Sequence, residues 1–109
     1  MKSAILITLG LVLTVNVQAA GSVAEGKEKS KPCASCHGPD GNSVAPNYPK
    51  LAGQYEDYIF QALLDYKSGA RENPIMSGQA ASLSVLDMED LAAYYSAQQG
   101  VVSPEVGEH

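Results

Sequence analysis

The sequence has little positive charge. Its 109 residues include seven lysines and arginines against twelve aspartates and glutamates, which gives a formal net charge of −5. Proteins that bind nucleic acid or anionic membranes usually present a basic face. The one local group of basic residues, Lys27, Lys29 and Lys31, indicates either a solvated helix face or a small docking patch. The composition therefore argues against nucleic acid and anionic lipid as partners.

Long apolar runs are also scarce, and the only one lies near the start, at residues 4–17. A helix that spans a bilayer needs about 20 apolar residues. Lys2 before the run and the small residues Ala19 and Ala20 after it are typical of a secretory signal peptide. We predict that residues 1–20 are such a signal, cleaved after Ala19 or Ala20, and that the protein is exported to the periplasm. The less favoured alternative is an uncleaved membrane anchor.

The sequence shows neither the alternation of a β-strand nor an internal repeat, so we predict an all-α fold. Helices are expected over residues 21–30, 54–67 and 84–99. Ser84 and Asp87 form a capping-box-like pair at the start of the last helix. The side chains expected on the buried faces of the last two helices are Tyr55, Tyr58, Ile59, Ala62, Leu63 and Tyr66, and then Leu86, Leu91, Tyr94 and Tyr95.

Loops occupy much of the remaining sequence. Pro32 is expected to halt the first helix, and residues 38–53 and 71–78 contain prolines and glycines that favour loops. The tail at 100–109 is expected to be flexible. A domain at 21–109 is too small to bury a large core, and loops of this length in a small domain usually serve a function. A large, flat, apolar cofactor would fill the interior.

Cysteine and histidine are rare, and three of the four such residues stand together in "CASCHG", as Cys33, Cys36 and His37. A structural zinc site needs four ligands, and only His109 remains. A thiol–disulfide centre is expected beside a βαβ pattern, which is missing. The spacing Cys-x-x-Cys-His is typical of covalent c-type haem attachment, in which both sulfurs form thioethers and the histidine binds iron.

The other axial ligand of the iron has three candidates. Met88 falls at a core position of the last predicted helix, which is the usual place of a helical methionine. His109 lies at the end of the tail. Met76 falls in the predicted loop at 71–78, where Asn73 and Pro74 precede it. We therefore predict that Met76 is the ligand and Met88 a core residue.

Four segments, "CASCHGPDGNS", "PNYPKLAGQ", "RENPIM" and "LSVLDMEDLAAYYSAQ", resemble the small class I cytochromes c of bacteria, particularly the c4 and c553 types. The resemblance implies a class I cytochrome c fold, with three to five short helices wrapped around one covalently bound haem. It also implies that His37 is the proximal iron ligand and Met76 the distal ligand. Cytochromes of the c4 type usually carry two such domains, whereas this sequence contains one.

The resemblance implies further haem contacts. Pro49 matches the proline whose carbonyl accepts the Nδ1 hydrogen of the proximal histidine, and Leu51 matches an apolar residue against the ring. Four more residues fall in segments that border the haem or its propionates: Gln54, Tyr55, Arg71 and Asn73.

These expectations describe an electron carrier rather than an enzyme. A six-coordinate His/Met haem would pass single electrons between respiratory redox partners, and the acidic chain would favour partners with a positive or weakly polar face. The protein would not stay inserted in a membrane after signal cleavage. The alternatives are a ligand-binding or catalytic cytochrome in which Met76 is displaced, and a haem-containing subunit that completes a larger complex.

Overall fold

The computed structural model describes residues 3–12 and 21–100, and all the regular secondary structure in those two ranges is helical. The helices, in chain order, are α1 (Val23–Lys29), α2 (Lys31–His37), α3 (Glu56–Ser68), α4 (Pro74–Ala80) and α5 (Val85–Ser96). The predicted all-α class is confirmed, as is the long loop at 38–53, which has no regular secondary structure.

The predictions for the two ends of the sequence, a signal peptide and a flexible tail, stay predictions. Residues 3–12 have no regular secondary structure and are exposed, whereas the predicted cleavage positions, Ala19 and Ala20, lie outside the described residues. The same holds for the predicted flexible tail beyond Gly100, including His109. Within the two described ranges, no helix has the length and apolarity that a membrane crossing requires.

The break between α1 and α2 falls at Ser30 rather than at Pro32. The Ser30 hydroxyl donates to the Lys27 carbonyl oxygen at 2.7 Å, a local bond that competes with helix continuation. Pro32 lies in the first turn of α2, where its missing N–H costs no helical hydrogen bond. The prediction that Pro32 halts the first helix is therefore wrong, because a proline is tolerated at the start of the next one.

Helices α1 and α5 pack closely because Gly26 has no side chain. A Cβ atom at Gly26 would lie 2.0 Å from the Asp90 carbonyl oxygen and 2.6 Å from the Tyr94 Cβ, which no real side chain tolerates. The contact brings the first and last described helices together and leaves Asp90 buried, at 2% exposure.

Ion pairs occupy two of the three clustered lysines. Lys29 Nζ lies 2.6 Å from Asp90 Oδ2 and 2.9 Å from Asp87 Oδ1, so it ties α1 to α5. Lys31 pairs with Glu28 at 2.8 Å on the surface. Lys29 is therefore a structural residue, and it belongs neither to a free basic patch nor to a merely solvated face.

Helices α3 and α5 supply the core, whose buried residues are Ile59, Leu63, Met88, Leu91, Ala92, Tyr94 and Tyr95. The predicted core position of Met88 is confirmed, since this side chain is fully buried. The capping box of Ser84 and Asp87 is also confirmed.

Three side chains that were expected to be buried are more than half exposed: Tyr55, Tyr58 and Leu86. Tyr55 precedes α3, which begins at Glu56, so it does not share the buried face of the helix. Tyr58 lies at the edge of a cavity described below. Leu86 lies in the first turn of α5, whereas the buried face of that helix starts at Met88.

Helix α4 was not expected, because residues 71–78 were predicted to form a loop. It has only seven residues, which is too short for an apolar period to be recognised. The start signal is nevertheless present, since Asn73 is the N-cap and Pro74 takes the first helical position. Met76 therefore lies in a helix and not in a loop.

The loop between α2 and α3 folds back against α5. Gly41 adopts a positive φ of 83°, and a Cβ there would lie 2.8 Å from the Tyr95 ring. The Gly41 carbonyl accepts from the Leu51 N–H at 2.8 Å, and the Gly53 N–H donates to the Tyr95 carbonyl at 3.0 Å. These bonds hold the loop against α5.

Candidate functional site

A cavity of about 440 Å³ lies between the helices and the loop at 38–53. Its size falls within the roughly 300–1,000 Å³ of typical ligand and cofactor sites. Both cysteines of α2 line it, as do core residues of α3 and α5 such as Ile59, Leu63 and Leu91. The sequence analysis predicts a large apolar cofactor in the interior, and this cavity has the position and size to hold one.

His37 is fixed at the end of α2. It is buried, at 6% exposure, and its Nδ1 lies 2.8 Å from the carbonyl oxygen of Pro49. A carbonyl oxygen only accepts hydrogen bonds, so Nδ1 must carry the hydrogen. The Nε2 atom then keeps its lone pair, which is the form in which an imidazole binds a metal. Gly38, with a φ of 82°, ends the helix directly after the histidine.

Cys33 and Cys36 lie one helical turn apart on α2, and both line the cavity. Both are half-buried, and neither forms a disulfide. Burial raises the pKa of the Cys33 thiol. Across residues 3–12 and 21–100, no group of three or more His, Cys, Asp or Glu side chains is arranged to hold a metal ion.

Met76 lines the same cavity from α4 and is half-buried. Met88 is absent from the cavity lining and is fully buried in the core. The structure therefore separates the two methionines as the sequence predicted, although it places Met76 on a helix. His109, the third candidate ligand, lies outside the described residues.

The remaining predicted haem contacts divide into two groups. Tyr55 does not line the cavity, because its side chain is 59% exposed at the residue before α3. The others all line the cavity: Pro49, Leu51, Gln54, Arg71 and Asn73. Contact between these residues and a haem stays a prediction.

Sequence reasoning missed several polar and aromatic residues of the lining. Tyr48 and Lys50 come from the loop, which carries no periodic signal, and Gln79 comes from the unexpected helix α4. Tyr58 and Tyr66 were predicted only as members of one helical face, without a role at the cavity. The period of a helix identifies an inward face, and it does not distinguish packing against protein from packing against a cofactor.

Arg71 and Tyr95 are two of the polar residues in the cavity lining. The Arg71 guanidinium lies over the Tyr66 ring, 4.9 Å from its centre. The Tyr95 hydroxyl is buried, and within the described part of the chain no hydrogen-bond partner satisfies it. Burial, followed by the neighbouring Cys33, raises the pKa of this hydroxyl.

These groups fit a covalently held haem. The cavity offers two cysteines on one helix that form no disulfide, an imidazole with its Nε2 lone pair available, a thioether and an apolar lining with one unsatisfied buried hydroxyl. Each has a use when a c-type haem is bound, as thioether bonds, as axial ligands or as surroundings. The fold and the cavity thus define a small helical protein of the c-type haem class.

Comparison with known proteins agrees with this class. Residues 23–97 match the family model "Cytochrome c", and the chain belongs to the cytochrome c family. As a member of that family it carries covalently bound haem c with its iron.

Among curated relatives, cytochrome c4 of Pseudomonas aeruginosa is 45% identical over 94% of this chain and 51% of its own length. Cytochrome c-554(548) of Halomonas halodenitrificans is 41% identical over 73% of this chain and its own full length. A thiosulfate dehydrogenase electron acceptor of Thiomonas intermedia is 40% identical over 72% of this chain and 36% of its own length.

Among solved structures, reduced recombinant cytochrome c4 from Pseudomonas stutzeri has a TM-score of 0.72 and 46% identity, covering 76% of this chain and 48% of that one. These matches confirm the predicted class I cytochrome c fold and the resemblance to cytochrome c4. The chain spans about half the length of the cytochrome c4 relatives that it matches.

Proposed function

We propose that this protein is an electron carrier whose haem c is attached through Cys33 and Cys36 and ligated by His37 and Met76. The bound haem supplies reversible one-electron exchange at its iron. The residues of the chain attach it, orient it, shield it from water and set its potential.

The observation that carries the proposal is the 2.8 Å hydrogen bond from His37 Nδ1 to the Pro49 carbonyl, beside a cavity that Met76 also lines. The bond orients the imidazole, makes Nε2 the ligating atom and increases its basicity. A thioether as second axial ligand raises the reduction potential of a c-type haem. With both ligands supplied by the protein, no position is left for a substrate, which supports a carrier rather than an enzyme.

The names of two relatives support a role in passing electrons from one redox protein to another. The name "thiosulfate dehydrogenase electron acceptor" describes a protein that takes electrons from another enzyme. By analogy, we infer that this chain accepts electrons from one exported oxidoreductase and passes them to another respiratory protein in the periplasm. The excess of acidic residues favours partners that present a positive face.

The second candidate function is a ligand-binding or catalytic cytochrome in which Met76 leaves the iron. The short helix that carries Met76 favours this candidate, because α4 has only seven residues and its one buried residue, Ala80, lies at the far end. Ligand binding by the wild-type protein therefore separates the two candidates.

The test compares two methionine variants of the holoprotein. Met76→Ala should remove the ferric charge-transfer band of the methionine–iron bond and allow rapid carbon monoxide binding to the ferrous protein. Met88→Ala is the matched control, because Met88 is fully buried in the core and outside the cavity lining. It should lower the free energy of unfolding by about 2–5 kcal/mol and leave the band in place.

Two outcomes would contradict the proposal. If Met88→Ala alone removed the band, the ligand assignment would be wrong. If wild-type protein bound carbon monoxide as fast as Met76→Ala at neutral pH, the second candidate function would replace the first.

A further inference from the structure

The first turn of α4 depends on one side chain. The Oδ1 atom of Asn73 accepts hydrogen bonds from the backbone N–H groups of Ile75 and Met76, both at 3.0 Å. The Asn73 carbonyl accepts from the Ser77 N–H at 2.8 Å, and Pro74 has no N–H to satisfy. Asn73 therefore satisfies every backbone donor of the turn that carries Met76.

Little else holds this end of the helix. Helices this short are not stable in isolation, and α4 packs against α3 and against no other helix in residues 21–100. Its only buried residue is Ala80, at the far end. Pro74 and Ile75, next to Met76, are exposed. Packing therefore anchors the C-terminal end of α4, whereas the N-terminal end relies on its cap and on the partly buried Met76 side chain, which packs against the core.

We propose that Asn73 is a positioning residue for Met76, holding the first turn of α4 closed so that the thioether stays at the iron. The proposal rests on the proposed function, because it presupposes that Met76 is a ligand. It gives Asn73 a role that differs from the haem contact expected from the sequence, since here it acts through the backbone of α4. Opening of the turn would be the step that exposes the iron to outside ligands.

The test is the affinity of the ferric holoprotein for added imidazole, which must displace Met76 to bind. Loss of a good N-cap usually costs about 1 kcal/mol, and 1.4 kcal/mol corresponds to a factor of ten. Asn73→Ala should therefore raise the imidazole affinity about fivefold and weaken the methionine–iron band. Asn73→Ser restores a neutral capping oxygen and should stay within about twofold of wild type.

Ser84→Ala is the matched control. Ser84 caps α5 through a bond from the Asp87 N–H at 3.1 Å, and it lies outside the cavity lining. Loss of this cap should lower the stability to a similar extent but leave the imidazole affinity unchanged. An equal rise in affinity for Ser84→Ala would overturn the proposal, since the effect would then be general destabilisation.

Met76→Ala separates failure of this inference from failure of the proposed function. If Met76→Ala bound imidazole no better than wild type, Met76 would not be the ligand and both ideas would fail. If Met76→Ala bound imidazole far more tightly but Asn73→Ala did not differ from wild type, only the positioning role would fail. A rise in Asn73→Ala that Asn73→Ser does not reverse would also count against it, because the capping oxygen would not be the cause.

Discussion

Asp90 is a buried carboxylate whose bonds join the two ends of the described domain. It accepts from Lys29 Nζ at 2.6 Å and from the Ser22 N–H at 2.7 Å. Lys29 and then the Ser22 N–H hold the pKa of Asp90 below its usual range. The Ser84 N–H and Lys29 lower the pKa of Asp87 to about 2. At the residue scale, polar bonds of this cluster join α1 to the first half of α5.

The cluster predicts a pH-dependent contribution to stability. Asp90→Asn removes the charge that faces Lys29 and should lower the free energy of unfolding by about 1.5–3 kcal/mol at pH 7, the usual value of a hydrogen bond to a charged group. A carboxylate whose pKa is lower in the folded than in the unfolded protein stabilises the folded state at pH values above its unfolded pKa of about 4. This stabilisation is lost as the pH falls through the folded pKa. The difference in unfolding free energy between wild type and Asp90→Asn should therefore be constant above about pH 5 and shrink below about pH 4.

Urea unfolding of both holoproteins over a pH series measures this gap. Glu28→Gln is the control, because the Glu28–Lys31 pair is well exposed and solvent-screened pairs of this kind contribute little to stability. A gap for Asp90→Asn that is no larger than that for Glu28→Gln, or that grows towards low pH, would contradict the prediction.

Residue types in a fixed spacing could be predicted from the sequence, whereas contacts between distant residues could not. The residues predicted to attach and ligate the haem, Cys33, Cys36, His37 and Met76, line one cavity, and their roles there stay a prediction. Nothing in the spacing of Lys29 and Asp90, 61 residues apart, indicates that they form an ion pair. The contribution of Tyr48 to the cavity was missed for a different reason, because a loop residue belongs to no periodic pattern.

At the scale of elements, the crossing of α1 and α5 depends on Gly26. Gly26→Ala would place a methyl group 2.0 Å from the Asp90 carbonyl oxygen, so the helices would have to separate. Overpacking of this kind usually costs about 1–3 kcal/mol. We expect a loss of unfolding free energy in that range, measured on the holoprotein by thermal or urea unfolding.

Gly78→Ala provides the matched control within another helix. No atom lies within 4 Å of a Cβ built at Gly78, and its φ is not positive. Alanine favours a helix interior by about 0.5–1 kcal/mol over glycine, so this variant should be neutral or more stable. If both alanine variants lost the same stability, loss of the close contact at Gly26 would not be the cause.

Element prediction succeeded where the signals were long or reinforced. Helix α3 ends at Ser68, one residue beyond the predicted range of 54–67, where Gly69 adopts the left-handed conformation. Helix α5 begins at its capping box. Helix α4 was missed because a seven-residue helix completes only two turns, and because Pro74 was interpreted as a helix breaker although it stands at the first position.

At the scale of the whole molecule, the described domain is built around a cavity instead of a full core. Of its larger side chains, only Met88 and Leu91 are fully buried, and the cavity of about 440 Å³ lies among the core helices. Domains of this size rarely obtain more than about 3–5 kcal/mol of stability from a hydrophobic core alone. A covalently attached haem would supply the missing apolar contacts and cross-link α2 to the interior.

Loss of both thiols should therefore prevent folding. We expect Cys33→Ala/Cys36→Ala, expressed from the 109-residue sequence, to give little helical signal in far-UV circular dichroism and no cooperative unfolding transition. Ser35→Ala is the matched control, because Ser35 lies between the two cysteines on α2 and is exposed. It should fold as the wild type does. Mass spectrometry of wild type and Ser35→Ala should find one haem that acidic organic solvent does not extract. A double variant with native helix content and a cooperative transition would show that packing alone specifies the fold, because the cavity would then be stable without the group that it holds.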